Sequence, residues 1–117
     1  MNVKQFYLDI NGSYENALAI MMNDVLIVKM LTKFMKNNAY GLIISSYESK
    51  DYRTLFAASH TYKGVTGNLA LTPLFNLASI ITEATRYSDN VNLDKEIEEL
   101  KSVYKLIEQK YQEHIAI

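Results

Sequence analysis

The chain has 117 residues, of which 49% are hydrophobic and 21% are charged, and its net charge is −1 at neutral pH. These values are typical of one globular domain with one core, and the absence of a basic run argues against nucleic acid as a partner. No cysteine is present, which excludes disulfides, thiolate catalysis and thiolate metal sites. The apolar runs are too short to span a bilayer and residues 1–6 lack a signal-peptide core, so we expect one cytoplasmic domain over residues 1–117.

Two short helices are predicted at the start of the chain, over residues 3–10 and from Ser13 to about Met22. Asn2 and Ser13 are their candidate N-caps, because short polar side chains at these positions can accept a hydrogen bond from the first turn of a helix. The residues that follow break this second helical pattern, and a third helix is predicted to begin there.

The longest helical pattern in the sequence covers residues 24–49. Apolar residues recur in it at spacings of three and four, and Asp24 is predicted to cap its start. We predict one long helix, bent near its middle, where Asn37, Asn38 and Gly41 weaken the pattern. A break into two helices at the same place is the competing interpretation, although no proline stops the pattern.

The second half of the chain predicts three further helices joined by short connections. Pro73 supports the start of the second of them. The candidate N-caps of the three are Asp51, Thr72 and either Asn92 or Asp94. No segment alternates with period two, so we predict an all-α fold. Short connections favour an antiparallel up-down-up-down four-helix bundle, with the short N-terminal helices packed on one end.

The helix that follows Asp51 carries Gly64 and Gly67 in its interior, where each glycine costs about 1 kcal/mol relative to alanine. At 100° per residue, one face of this helix is apolar and is predicted to be buried. That face consists of Leu55, Ala58, Tyr62, Val65, Thr66 and Leu69. The opposite face carries Arg53, Phe56, His60, Lys63 and the two glycines, with Asn68 at its margin. This face therefore presents a lone imidazole beside two positions that have no side chain.

The spacing on this face is similar to the signature of histidine-containing phosphotransfer (HPt) domains of phosphorelays. In that family a histidine is followed by lysine three residues on, glycine four on, a small residue seven on and often asparagine or serine eight on. The matching residues here are His60, Lys63, Gly64, Gly67 and Asn68. The chain departs from the family pattern at Tyr62, where leucine is usual, and at Ala70, where glycine is common. The resemblance extends from about Gly12 to Glu113.

The resemblance implies a phosphorelay carrier and not an autonomous enzyme. His60 would accept a phosphoryl group from a receiver-domain aspartate or a hybrid histidine kinase, and would pass it to another response-regulator receiver domain. Lys63 would contact the phosphoryl oxygens, and Gly64 would keep the helix surface low for the partner. The candidate docking residues are Arg53, Phe56, Gly67 and Asn68, with Lys50 as a further cation. We expect a monomer with no cofactor of its own, and magnesium on the partner receiver.

Several of these residues also have purely structural interpretations. The alternative for Lys63 is a solvated surface lysine, and the alternative for Phe56 is packing at the edge of the bundle. Gly67 and Asn68 come close to the predicted end of the helix, so each is a candidate for terminating it.

Two other functions compete with the phosphorelay carrier. The alternative is a helical adaptor that binds receiver domains or other signalling partners without accepting phosphate. A metal-binding bundle would need glutamate and histidine at Glu-x-x-His spacing, whereas Glu113 and His114 are adjacent. The sequence indicates no partner for His114, and we interpret it as a surface residue.

Overall fold

The computed structural model describes residues 1–116, which form α-helices and contain no β-strand. The helices are α1 (Val3–Asp9), α2 (Tyr14–Met21), α3 (Asp24–Lys36), α4 (Ala39–Glu48), α5 (Tyr52–Asn68), α6 (Thr72–Thr85) and α7 (Asp94–His114). The all-α prediction is therefore confirmed. Not one of these helices combines the length and the apolar character that crossing a membrane requires. Ile117, the last residue of the predicted domain, lies outside the described residues.

Side-chain caps begin three of the helices at the places that the sequence predicts. In each case the side-chain oxygen of the N-cap accepts the backbone N–H three residues later, at 3.0, 3.2 and 3.2 Å. These N-caps are Asn2 for α1, Ser13 for α2 and Asp51 for α5. Each bond satisfies a backbone donor that the first turn of a helix cannot satisfy internally.

The predicted cap of α3 is wrong by one residue. Asn23 is the N-cap, because its backbone is extended and its Oδ1 accepts the N–H of Leu26 at 2.9 Å. Asp24 is instead the first residue of the helix, where its carboxylate interacts favourably with the helix dipole.

The starts of α6 and α7 also differ by one residue from the prediction. Leu71 is the N-cap of α6, so Thr72 is already the first helical residue. Leu93 holds the N-cap position of α7, although Asn92 Oδ1 accepts the N–H of Asp94 at 3.1 Å. Neither N-cap position carries a polar side chain, so a prediction from polar N-cap residues assigns the wrong start to both helices.

The prediction of one helix over residues 24–49 is wrong, and the competing break is confirmed. α3 ends at Lys36, and Asn37 is extended with ψ of 142°. The Asn37 side-chain Oδ1 accepts the N–H of Ala39 at 2.6 Å. In an uninterrupted helix the N–H of Ala39 would donate to a backbone carbonyl. Here the Asn37 side chain accepts that hydrogen bond instead, which favours the break.

Helix α5 packs along α6 and α4, while α7 packs on α6 and on α1. Side chains also join the broken α3–α4 pair to α7. The rings of Tyr40 and Tyr104 stack with their centroids 3.8 Å apart, and the hydroxyls of Thr32 and Tyr111 lie 2.8 Å apart. As a result α5 is packed against helices on two sides, and its outer face is left free.

Candidate functional site

Helix α5 is held in place by a buried face that runs along its length. The buried residues of this helix are Leu55, Ala58, Ser59, Tyr62 and Thr66, and Leu69 just beyond its end is also buried. The prediction for Val65 is wrong, because it lies at the margin of the stripe and is 37% exposed. All other predicted members of the face are buried, so the opposite face of α5 points outward.

Ser59 was not predicted to be buried, yet its side chain is fully enclosed between α5 and α6. Its hydroxyl donates to the Phe56 carbonyl at 3.1 Å and accepts a hydrogen bond from Thr82 Oγ1 at 3.1 Å. The complementary hydroxyl on α6 is what allows Ser59 to be buried.

His60 is exposed at the middle of α5, with the exposed Gly64 one helical turn further on. A Cβ built on Gly64 would meet no heavy atom within 4 Å, so no neighbouring residue requires glycine at this position. Lys63 lies on the same side of the helix and is half-buried. The site therefore combines an accessible imidazole, a cation and an open surface beside them.

An aromatic ring lies against the imidazole. The Phe56 and His60 ring centroids are 5.9 Å apart, with 23° between the ring planes. Arg86 Cζ lies 5.3 Å from the Phe56 centroid, within the range of a cation–π interaction. Phe56 lies on the face that the helical period predicts, whereas Arg86 was not predicted to belong to the site. Arg86 directly follows the last residue of α6, and the helical period of α5 gives no signal for a residue on a neighbouring helix.

Arg53 is exposed in the first turn of α5 and belongs to a shallow groove between α4 and α5. The groove has a volume of about 430 Å³ and is mostly apolar. Its lining residues are Ala39, Leu42, Arg53, Thr54, Ala57, Ala58 and Thr61. Thr61, the residue after His60 in α5, is one of the lining residues, whereas His60 itself does not line the groove.

Gly67 lies inside α5 and does not cap its end, so the capping interpretation is wrong. The helix continues through Asn68, Leu69 is the C-cap, and Ala70 carries the left-handed φ of 54°. A Cβ on Gly67 would be 3.1 Å from two ring carbons of Phe75, so this glycine has a packing role against α6. Asn68 is the exposed last residue of the helix.

His114 is half-buried and bonded, which corrects its interpretation as a surface residue without a partner. Its Nε2 lies 2.8 Å from Asp9 Oδ2, and Lys110 Nζ lies 3.7 Å from the same oxygen and 3.1 Å from Glu113 Oε2. Hydrogen bonds from Gln5 and then His114 lower the pKa of Asp9. Asp9, Glu113 and His114 are close enough to share a metal ion. The Lys110 ammonium already supplies positive charge to both carboxylates, so we interpret the cluster as a link between α1 and α7.

Comparison with known proteins identifies no relative of this chain. No family model matches it, and neither the curated proteins nor the solved structures give a significant match.

Proposed function

We propose that the chain is a phosphorelay carrier of the HPt type, with His60 as the phosphoryl acceptor. The observation that carries this proposal is an exposed histidine in mid-helix with an open glycine one turn later. Gly64 costs the helix about 1 kcal/mol relative to alanine, and nothing around it within 4 Å requires the absence of a side chain. Close approach of a partner to the imidazole would explain why glycine is present here in spite of this cost.

The reaction is transfer of a phosphoryl group from an aspartyl phosphate to His60. The ring nitrogen that carries the lone pair attacks phosphorus, an N–P bond forms, and the P–O bond to the donor aspartate breaks. The bonding electron pair leaves on the aspartate carboxylate, and the proton on the other ring nitrogen of His60 stays in place. The attack requires an unprotonated ring nitrogen. Histidine is suited to this role because its ordinary pKa of about 6.5 makes the neutral imidazole available near pH 7. A second receiver aspartate then takes the group by the reverse steps.

Lys63 stabilises the negative charge of the group in transfer. The transferred phosphoryl group is negatively charged throughout, so catalysis consists mainly of positioning and electrostatic stabilisation. An ammonium one turn from the imidazole on the same helix face can reach the phosphoryl oxygens. The magnesium for the reaction would be held by the carboxylates of the receiver, and this chain would act as a carrier and not as a kinase.

The partners in this proposal are response-regulator receiver domains and hybrid histidine kinases. Arg53 and Lys50 are placed to attract the acidic pocket of a receiver, and the apolar groove beside Thr61 offers area for docking. We also propose that the domain is monomeric and cytoplasmic. In it, α3 and α4 together form the first arm of an up-down-up-down bundle, and α5, α6 and α7 form the other three.

The test is to incubate the protein with several radiolabelled, phosphorylated receiver domains and to follow label that is acid-labile and alkali-stable. We expect wild type and His114→Gln to take up label, and His60→Gln to take up none. His114→Gln is the matched control because it removes the other histidine. Labelling of His60→Gln at the wild-type rate would refute the proposal. Binding of receivers without any transfer to wild type would establish the adaptor function instead.

A further inference from the structure

The imidazole of His60 lies against the ring of Phe56. The two rings are 23° from parallel and 5.9 Å apart, which is an offset stack. Phe56 is half-buried and lies on the same helix one turn earlier, so its position is fixed by α5 itself. A stack of this kind covers a face of the imidazole and leaves its edge, where both nitrogens lie, free.

Arg86 holds Phe56 from the neighbouring helix. Its guanidinium lies over the Phe56 ring at 5.3 Å, and its Nη2 and Nε atoms donate to Glu83 Oε1 at 3.0 and 3.2 Å. Glu83 and Arg86 both belong to the end of α6, where they form an ion pair. A continuous series of contacts therefore runs from Glu83 through Arg86 and Phe56 to His60.

We propose that Phe56 and Arg86 are positioning residues that fix the ring plane of His60. The nucleophilic lone pair of imidazole lies in the plane of the ring, so the orientation of that plane decides where the lone pair points. An imidazole that rotates freely must be ordered during the reaction, and ordering it beforehand raises the rate. This consequence for transfer rests on the proposed function, whereas the ordering of the ring is a property of the free protein.

This role differs from the docking role that the sequence suggested for Phe56. A docking contact contributes to the affinity for the receiver, whereas a positioning residue contributes to the rate once the receiver is bound. Phe56 is half-buried under Arg86 and beside His60, so part of its ring is already in contact with this chain. Both roles can be measured separately in the same variants.

The first experiment uses the free protein and NMR of the His60 ring protons. We expect cross-relaxation between the Phe56 and His60 rings in wild type. Phe56→Leu should shift the His60 ring resonances through loss of the ring current, and Phe56→Tyr, which keeps the ring, should largely restore them. His60 resonances that do not respond to Phe56→Leu would overturn the proposal, whatever the outcome of the labelling experiment.

The second experiment measures single-turnover transfer from a saturating phosphorylated receiver. Phe56→Leu should lower the rate about tenfold, with the receiver dissociation constant unchanged, and Phe56→Tyr should recover the rate. Arg86→Gln should act in the same direction, with Arg86→Lys closer to wild type. The Arg86 side chain is partly exposed and lies outside the buried core, so we expect both variants to fold. A changed dissociation constant with an unchanged rate at saturation would assign both residues to docking and overturn the positioning role.

Discussion

Gly64 and Gly67 lie one turn apart in α5 but have different surroundings. A Cβ on Gly64 would have no heavy atom within 4 Å, whereas a Cβ on Gly67 would press on the Phe75 ring at 3.1 Å. The first glycine leaves the surface beside His60 open, and the second lets α6 approach α5. The absence of a side chain therefore has a different physical consequence at each of the two positions.

This difference predicts different changes in stability for the same substitution at the two positions. Gly64→Ala should raise the free energy of unfolding by about 1 kcal/mol, because alanine favours the helix and its methyl group meets open space. Urea denaturation followed by circular dichroism measures this change. The matched control is Gly67→Ala, in which contact with Phe75 should cancel or reverse the gain in propensity. Equal stabilisation by both variants would contradict the assignment of a packing role to Gly67.

The exposed face of α5 could be predicted from the sequence because it follows from the helical period alone. His60, Gly64 and Arg53 are exposed where the wheel places them. The parts of the site that come from α6 could not be predicted in this way. Arg86 reaches Phe56, and Thr82 bonds Ser59, only because α6 packs beside α5, and the period of one helix carries no information on its neighbour.

At the scale of elements, α1 is joined to the end of α7 by a cluster of charged side chains. Asp9 accepts from His114 at 2.8 Å and lies 3.7 Å from the ammonium of Lys110. Asn2 N–H also donates to the His114 carbonyl at 3.0 Å. These contacts join residues from opposite ends of the chain, so nothing in the local sequence around His114 indicates them.

The cluster predicts a loss of stability in acid that depends on Asp9. Hydrogen bonds from Gln5 and His114 lower the pKa of Asp9 from its ordinary 3.8. A group with a lowered pKa in the folded state stabilises the fold above its unfolded pKa, and this contribution disappears as pH falls through the folded pKa. Asp9→Asn should therefore be less stable than wild type at neutral pH, and the difference should shrink below about pH 4.

Urea midpoints measured from neutral pH down to about pH 2.5 provide the test of this pH dependence. Asp89→Asn is the matched control, since it removes the same charge from the exposed loop between α6 and α7. A difference between Asp9→Asn and wild type that stays constant over this range would show that the Asp9 carboxylate contributes nothing through its ionisation.

The helices themselves could be predicted with more success than their boundaries. Caps with polar side chains, such as Asn2 and Ser13, were located correctly, because the sequence displays the group that forms the bond. The break between α3 and α4 is contrary to the sequence pattern, which favours one long helix. At the break, Asn37 Oδ1 accepts a hydrogen bond from the N–H of Ala39. The free energy of such a bond is similar in size to differences in helix propensity, so the helical pattern alone does not decide between a continuous and a broken helix.

At the scale of the whole molecule, the buried polar side chains of the described residues form hydrogen bonds, with one exception in the core, the hydroxyl of Tyr62. Tyr62 is 2% exposed and packs on Phe34, with ring centroids 5.5 Å apart. Its Oη has no hydrogen-bond partner among the residues that the structure describes, and burial raises its pKa. Tyr7, equally buried, is the contrasting case, because its hydroxyl donates to the Leu69 carbonyl at 2.7 Å.

The two tyrosines predict opposite effects of removing one oxygen atom. Tyr62→Phe should raise the free energy of unfolding by about 1 kcal/mol, because a buried hydroxyl without a partner costs desolvation energy and returns no bond. Tyr7→Phe should lower it by about 1 to 2 kcal/mol, because the Leu69 carbonyl loses its donor. Urea denaturation of both variants at one pH measures the pair. Destabilisation by Tyr62→Phe comparable to that of Tyr7→Phe would mean that the Tyr62 hydroxyl is hydrogen-bonded in solution, and the core would then contain no uncompensated tyrosine at this position.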